Sequence, residues 1–204
     1  MQRINEPDKL QLEFGRRLPS LILASSSPNR KGLLEKGGCS VRTFTPDADE
    51  EKRGETPEKI VEGIAERKIR AYMESEAYDE ESTAIAADTL VLLNGELLGK
   101  PKDREDAERM LRSLSGRSQT VISAVGMKVP GKDAVVFSDE ASVIFLPLFD
   151  SEIESYLDTE EWIGAAGAYR LQKTGYKLVE RIDGDWTTVV GLPLKKILDY
   201  LYKL

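Results

Sequence analysis

The chain has 204 residues, 40% hydrophobic and 32% charged, enough for one large domain or two small ones around a buried core. A net charge of −7 argues against a polynucleotide partner, which selects a broad basic face, but not against a small anion held by locally concentrated cations. The chain has no histidine, which excludes Ser-His and Cys-His nucleophilic sites and histidine-bound metals; one cysteine, Cys39, excludes an intrachain disulfide.

Acid–base chemistry therefore falls to Asp, Glu, Lys or Tyr, and a metal would sit on oxygen ligands, which favours magnesium or manganese. The lone cysteine suits a reducing compartment. The N-terminus has no apolar run of a secretory signal, and no stretch approaches the ~20 apolar residues that span a bilayer. A cytoplasmic location with no membrane partner is the expectation.

Residues 1–19 are polar and read as a loose leader preceding a domain over 20–204. Leu21 to Ala24 is an apolar strand that runs into Ser25-Ser26-Ser27-Pro28-Asn29-Arg30-Lys31. Ser27 suits a helix cap, Pro28 the first helical position, and Gly37-Gly38 the stop. A helix start also exposes unpaired N–H groups, so the same turn can hold a phosphate beside Arg30. Val41 to Phe44 reads as a short strand, followed by an acidic loop containing Glu50 and ending near Pro57. Thr56 then caps a helix with Ile60, Ile64, Lys68 or Ile69 and Tyr72 near helical spacing.

A buried strand follows up to Leu93, with Asn94-Gly95 as a hairpin turn and a short return strand ending at Gly99-Lys100-Pro101. Asp103 caps a helix striped by Ala107, Met110, Leu111 and Leu114 and closed by Gly116. Two strands joined at Pro130-Gly131, a short helix over Ser151–Thr159 and, after the stretches 165–172 and 176–185, a final amphipathic helix complete a single α/β domain with a mixed sheet.

Asp88 interrupts the apolar run Ile85-Ala86-Ala87 and Leu90-Val91-Leu92. A carboxylate there must be hydrogen-bonded at a strand end or bulge, paired, or bound to a cation, and such surroundings tune it for proton transfer. Glu50 in an acidic loop and Lys68 beside Arg67 and Arg70 have solvated charge as their ordinary reading. Lys100 is different. A hairpin symmetric about Asn94-Gly95 carries it to within a few residues of Asp88 and Thr89.

The order of Ala-Ser-Ser-Ser-Pro-Asn-Arg, Asp-Ala-Asp-Glu, Ala-Ala-Asp-Thr, Gly-Lys-Pro-Lys-Asp, Leu-Ser-Gly-Arg, Ala-Gly-Ala-Tyr-Arg-Leu-Gln and Val-Val-Gly-Leu-Pro-Leu resembles the Maf family of nucleoside triphosphate pyrophosphatases. The resemblance implies an elongated, twisted mixed sheet flanked by helices, with a cleft between two lobes. It also implies hydrolysis of a nucleoside triphosphate between the α and β phosphates, a divalent cation, and a homodimer. By position, Asp88 matches the family's proton acceptor; Ser25, Arg30, Glu50, Lys68 and Lys100 match the phosphate and metal cleft; and Asn29, Thr89 and Gln172 fall where substrate choice is associated. In that reading Ser27 joins the phosphate-holding turn, Glu50 and Asp88 place the cation, and Arg30, Lys68 and Lys100 stabilise phosphate charge.

Thr89 and Gln172 resemble the dTTP/UTP branch. Asn29 stands where the family usually has the first Arg of Ser-Pro-Arg-Arg, and an amide lacks that residue's bidentate fork. Ser118-Gln119 stands where a His is usual, and Thr188 where an Asn is common. A modified or purine nucleotide such as 7-methyl-GTP or ITP is the alternative substrate. A nucleotide-binding regulator of cell division with little turnover is the alternative role.

Overall fold

The computed structural model of the protein describes residues 8–204. Helix α1 spans Lys9–Arg17 and is followed by β1 (Ser20–Ala24), α2 (Pro28–Lys36), β2 (Ser40–Phe44), α3 (Pro57–Met73), β3 (Ala84–Leu93) and β4 (Glu96–Leu98). Then come α4 (Arg104–Leu114), β5 (Ser118–Lys128), β6 (Val135–Phe145), α5 (Asp150–Leu157), two 3-10 turns, β7 (Val179–Asp183), α6 (Trp186–Val190) and α7 (Leu194–Leu201).

The first element corrects the loose leader. Asp8 accepts from the Gln11 amide at 2.8 Å while the Gln11 side chain accepts from the Asp8 amide at 3.1 Å, a reciprocal cap. Phe14 is buried, and the Gln11 side-chain amide donates to the Leu33 carbonyl at 2.9 Å, which fastens α1 to α2. Residues 1–7 of that expectation lie outside the described residues.

The sheet has seven strands in the order β2-β1-β3-β5-β6-β7, with β4 added on β3. β1 pairs in parallel with β2 and β3, whereas β3–β4 and β6–β7 are antiparallel, so the sheet is mixed as expected. By its internal contacts the chain divides into two compact units. One runs through Thr89 and includes Ser123–Asp139 and Gly191–Leu204; the other comprises Leu90–Ile122 and Glu140–Val190. No helix among the described residues is long and apolar enough to cross a membrane.

In the first unit, even-numbered residues of the strands face α3: Ile22, Ala24, Ala84 and Ala86 pack on Ile69 and Tyr72. The buried stripe of α3 includes Val61, Ala65, Lys68 and Tyr72, at helical four- and three-residue spacing, so Lys68 belongs to the core-facing side. A β-carbon at Gly126 would stand 2.7 Å from the Ala65 carbonyl oxygen, so α3 lies close on β5. In the second unit the α4 stripe of Ala107, Met110, Leu111 and Leu114 is buried with Phe145, Ile153 and Tyr169, as its spacing predicts. Asn94 and Gly95 both have positive φ, 53° and 82°, and pair Leu93 with Glu96, Leu92 with Leu97 and Val91 with Leu98. That is the symmetric register expected.

Candidate active site

β1 ends at Ala24, whose partner on β3 is Ala86. Asp88 and Thr89 lie two and three residues further along β3, beyond the last β1 partner, where parallel strands of an α/β sheet expose their carboxyl ends. Strand alternation sends the two side chains to opposite faces. Asp88 shares the α3 face with Ala84 and Ala86; Thr89 reaches the α2 face. Each face carries one polar constellation.

On the α3 face the Lys68 ammonium donates to Asp88 Oδ1 at 2.8 Å and lies 2.7 Å from Glu50 Oε1. The Lys68 side chain is 10% exposed, Asp88 18% and Glu50 64%, so a nearly buried cation bridges an inner and an outer carboxylate. Burial of this ammonium is tolerable because both partners are close and oppositely charged. The acidic loop is also tied down by its backbone. Arg67, the neighbour of Lys68, donates through Nε to the Asp49 carbonyl at 2.6 Å and through Nη2 to the Glu51 carbonyl at 2.7 Å.

On the α2 face the expected cap is present: Ser27 Oγ accepts from the Arg30 amide at 3.4 Å, with Pro28 at the first helical position. The Ser27 amide donates to Ser25 Oγ at 3.2 Å. Arg30 folds back into the protein. Its Nη1 donates to Ser25 Oγ at 3.0 Å, its Nη2 to Thr89 Oγ1 at 3.1 Å and its Nε to the Gly191 carbonyl at 2.8 Å. Thr89 Oγ1 is in turn 2.8 Å from the hydroxyl of Ser123, a fully buried residue of β5. Three of the five guanidinium N–H groups are thereby used, leaving one on each terminal nitrogen. Burial pulls the Arg30 guanidinium below its ordinary pKa, and the charges of Asp88 and Glu50 push it back.

Gly191 explains part of the Val-Val-Gly-Leu-Pro-Leu stretch. Its φ is 111°, and a β-carbon there would stand 3.0 Å from Thr89 Oγ1 and 3.1 Å from Arg30 Nε. Only glycine combines that backbone with so close an approach.

Ser25, Ser27, Arg30 and Thr89 therefore meet on one face, and Glu50, Lys68 and Asp88 on the other. Asn29, at the start of α2, is half-buried, and its side chain has no hydrogen-bond partner among the described residues. Lys100 and Gln172 lie in the second unit. Lys100 is exposed two residues past the end of β4 and has no ion-pair partner among the described residues; Gln172 is half-buried after the loop in which the Gly167 amide donates to the Gly99 carbonyl. Arg67, Ser123 and Gly191 are site residues that sequence reasoning missed. The glycine of the Val-Val-Gly-Leu-Pro motif was the available signal for the last. A groove along α4 lined by Lys102, Asp106, Arg109 and Arg112 contains none of these residues.

The donor set can be tested against a divalent cation. No group of three or more acidic or cysteine side chains converges to hold a metal among the described residues, which argues against an all-protein cage. Glu50 and Asp88 nevertheless direct oxygens at one point charge, the Lys68 ammonium. Two carboxylates fit a magnesium or manganese ion whose other ligands are phosphate and water.

These features define an α/β protein with an anion-suited strand-to-helix turn next to a carboxylate–ammonium cluster. A family model described as Maf-like protein matches residues 20–204, and the chain belongs to the Maf family. It is 42% identical over 179 residues to a dTTP/UTP pyrophosphatase of Bacillus velezensis, covering 87% of this chain and 93% of that one. It is likewise 42% identical over 184 residues to a dTTP/UTP pyrophosphatase of Thermus thermophilus, covering 90% and 94%. The Staphylococcus aureus Ham1 protein superposes with a TM-score of 0.48 at 18% identity, covering 89% of this chain and 99% of that chain.

Proposed function

We propose that the protein is a nucleoside triphosphate pyrophosphatase that cleaves the α–β phosphoanhydride of dTTP and UTP. The observation that carries this reading is the cluster at the end of β1. A carboxylate held by a nearly buried ammonium stands one residue from a hydroxyl that is hydrogen-bonded to the arginine of a helix-capping turn. The dTTP/UTP pyrophosphatases to which the chain is similar over most of its length support the substrate class.

In this mechanism Asp88 orients a water molecule and takes one of its protons. The water oxygen bonds to a phosphorus flanking the α–β bridging oxygen, and the bond to that oxygen breaks, giving monophosphate and pyrophosphate. Lys68, which donates to Asp88 Oδ1 at 2.8 Å, keeps the carboxylate aimed. The first turn of α2 and the two remaining Arg30 N–H groups face the phosphates. Glu50 and Asp88 would hold a divalent cation, which when bound would neutralise phosphate charge. The expected homodimer and cytoplasmic location belong to the same proposal; they rest on the family resemblance and on cysteine usage.

Asn29 favours one variation, since a neutral, unpartnered amide stands at the helix start. A purine or modified base is the second reading. The test is a panel of dTTP, UTP, ITP, GTP and 7-methyl-GTP, with the monophosphate product separated by anion-exchange chromatography, in magnesium, manganese or chelator. The expected result is turnover of dTTP and UTP at least tenfold above the others and none in chelator. Preference for ITP or 7-methyl-GTP would overturn the pyrimidine assignment, and metal-independent turnover would overturn the cation.

A further inference from the structure

We infer that Arg67 is a positioning residue that presents Glu50 to the cation site. Nothing in its sequence context marks it, since it stands among charges on a helix. The geometry does. Its Nε and Nη2 grip the carbonyls of Asp49 and Glu51, the residues on either side of Glu50, at 2.6 and 2.7 Å. The next residue of α3, Lys68, takes the Glu50 carboxylate itself at 2.7 Å. Consecutive residues of one helix therefore fix the backbone and the side chain of Glu50 separately.

The loop needs such a fixture. It runs from the end of β2 at Phe44 to the start of α3 at Pro57 without regular secondary structure, and the Glu50 side chain is 64% exposed. A carboxylate on an untethered loop would be ordered each time a ligand bound, at an entropic cost that weakens binding. Two charge-assisted bonds to the carbonyls that flank Glu50 prepay that ordering. They require a planar fork with two divergent donors. A lysine carries the same charge but cannot span both carbonyls in that geometry.

This inference deepens the proposed cation role of Glu50 and rests on it, so its test has two readouts. Arg67→Lys and Arg67→Ala are compared with the wild type and with Arg70→Ala, a control in which an exposed arginine of the same helix loses its Glu66 partner. Amide hydrogen exchange over residues 46–56 tests the tether without any metal. Both Arg67 variants should exchange there about tenfold or more faster, with the control unchanged.

Manganese binding, followed by water proton relaxation, tests the consequence. Affinity should fall about 5- to 30-fold in both Arg67 variants, the loss expected for charged hydrogen bonds at a partly exposed site. In turnover assays the loss should appear in the metal concentration required, with kcat at saturating metal within about threefold of wild type. Unchanged exchange in the loop overturns the tether. Full rescue by Arg67→Lys reduces the role to charge and overturns positioning. Faster exchange with unaltered manganese affinity overturns the link to the cation, and a wild type that binds no manganese overturns the cation site itself.

Discussion

Asp88→Asn separates chemistry from folding more cleanly than any other single change. At 2.8 Å the Lys68–Asp88 attraction is about 6 kcal/mol gross at an effective dielectric of about 20, but most of that offsets the desolvation of both groups. The substitution does not orphan the ammonium, because Glu50 stays 2.7 Å away and the amide oxygen still accepts from Lys68. The net stability loss should therefore be about 1–2 kcal/mol, a fall in Tm of roughly 3–6 °C for a chain of this size. An amide cannot take a proton from water, so turnover should fall about 10²–10⁴-fold. The assay is pyrophosphate release from UTP in parallel with a thermal melt. Activity within tenfold of wild type, or a Tm loss above about 10 °C accompanying the drop, would refute the assignment of Asp88 to the chemical step.

Lys68→Met should remove activity by at least about 10²-fold and cost about 2–3 kcal/mol in a urea titration. It leaves Asp88 and Glu50 facing each other without their cation, and the usual cost for a broken buried pair is reduced because Glu50 is largely exposed. Cys39 is buried, and burial pushes its thiol up to about 11, so it should resist a disulfide reagent at pH 8 until denaturant is added. Because the folded state holds that proton more tightly, the stability it contributes is intact below about pH 9. It should be lost as pH rises towards about 11, by a falling urea midpoint.

The legible parts of the sequence were those whose cause is local. The cap at Ser27, the stripe of α4 and the Asn94-Gly95 turn each need only neighbouring residues, and all three stand in the structure. Helix α1 was missed for a physical reason. Residues 1–19 are polar, and the anchor of the helix is a close approach rather than an apolar stripe: a β-carbon at Gly15 would stand 1.9 Å from the Gly37 carbonyl oxygen. The Asp8–Gln11 reciprocal cap was the signal that could have found this helix. Arg30 was legible as a cation of the strand-to-helix turn, but the three bonds that hold it, to Ser25, Thr89 and Gly191, were not. The last two are 59 and 161 residues away in sequence, beyond any local pattern. Lys68 reads by sequence as solvated charge beside Arg67 and Arg70; the structure corrects this, because its two acidic partners, distant in sequence, make its burial possible.

Because Asp88 and Thr89 point to opposite sides of one strand, the residue count of β3 is itself a component of the candidate site. Deleting a single alanine upstream in β3 would turn both to the other side, leaving the Thr89 hydroxyl opposite Lys68 and carrying the Asp88 carboxylate away from it. This short segment should thus tolerate many replacements of one side chain by another, yet almost no change in its length.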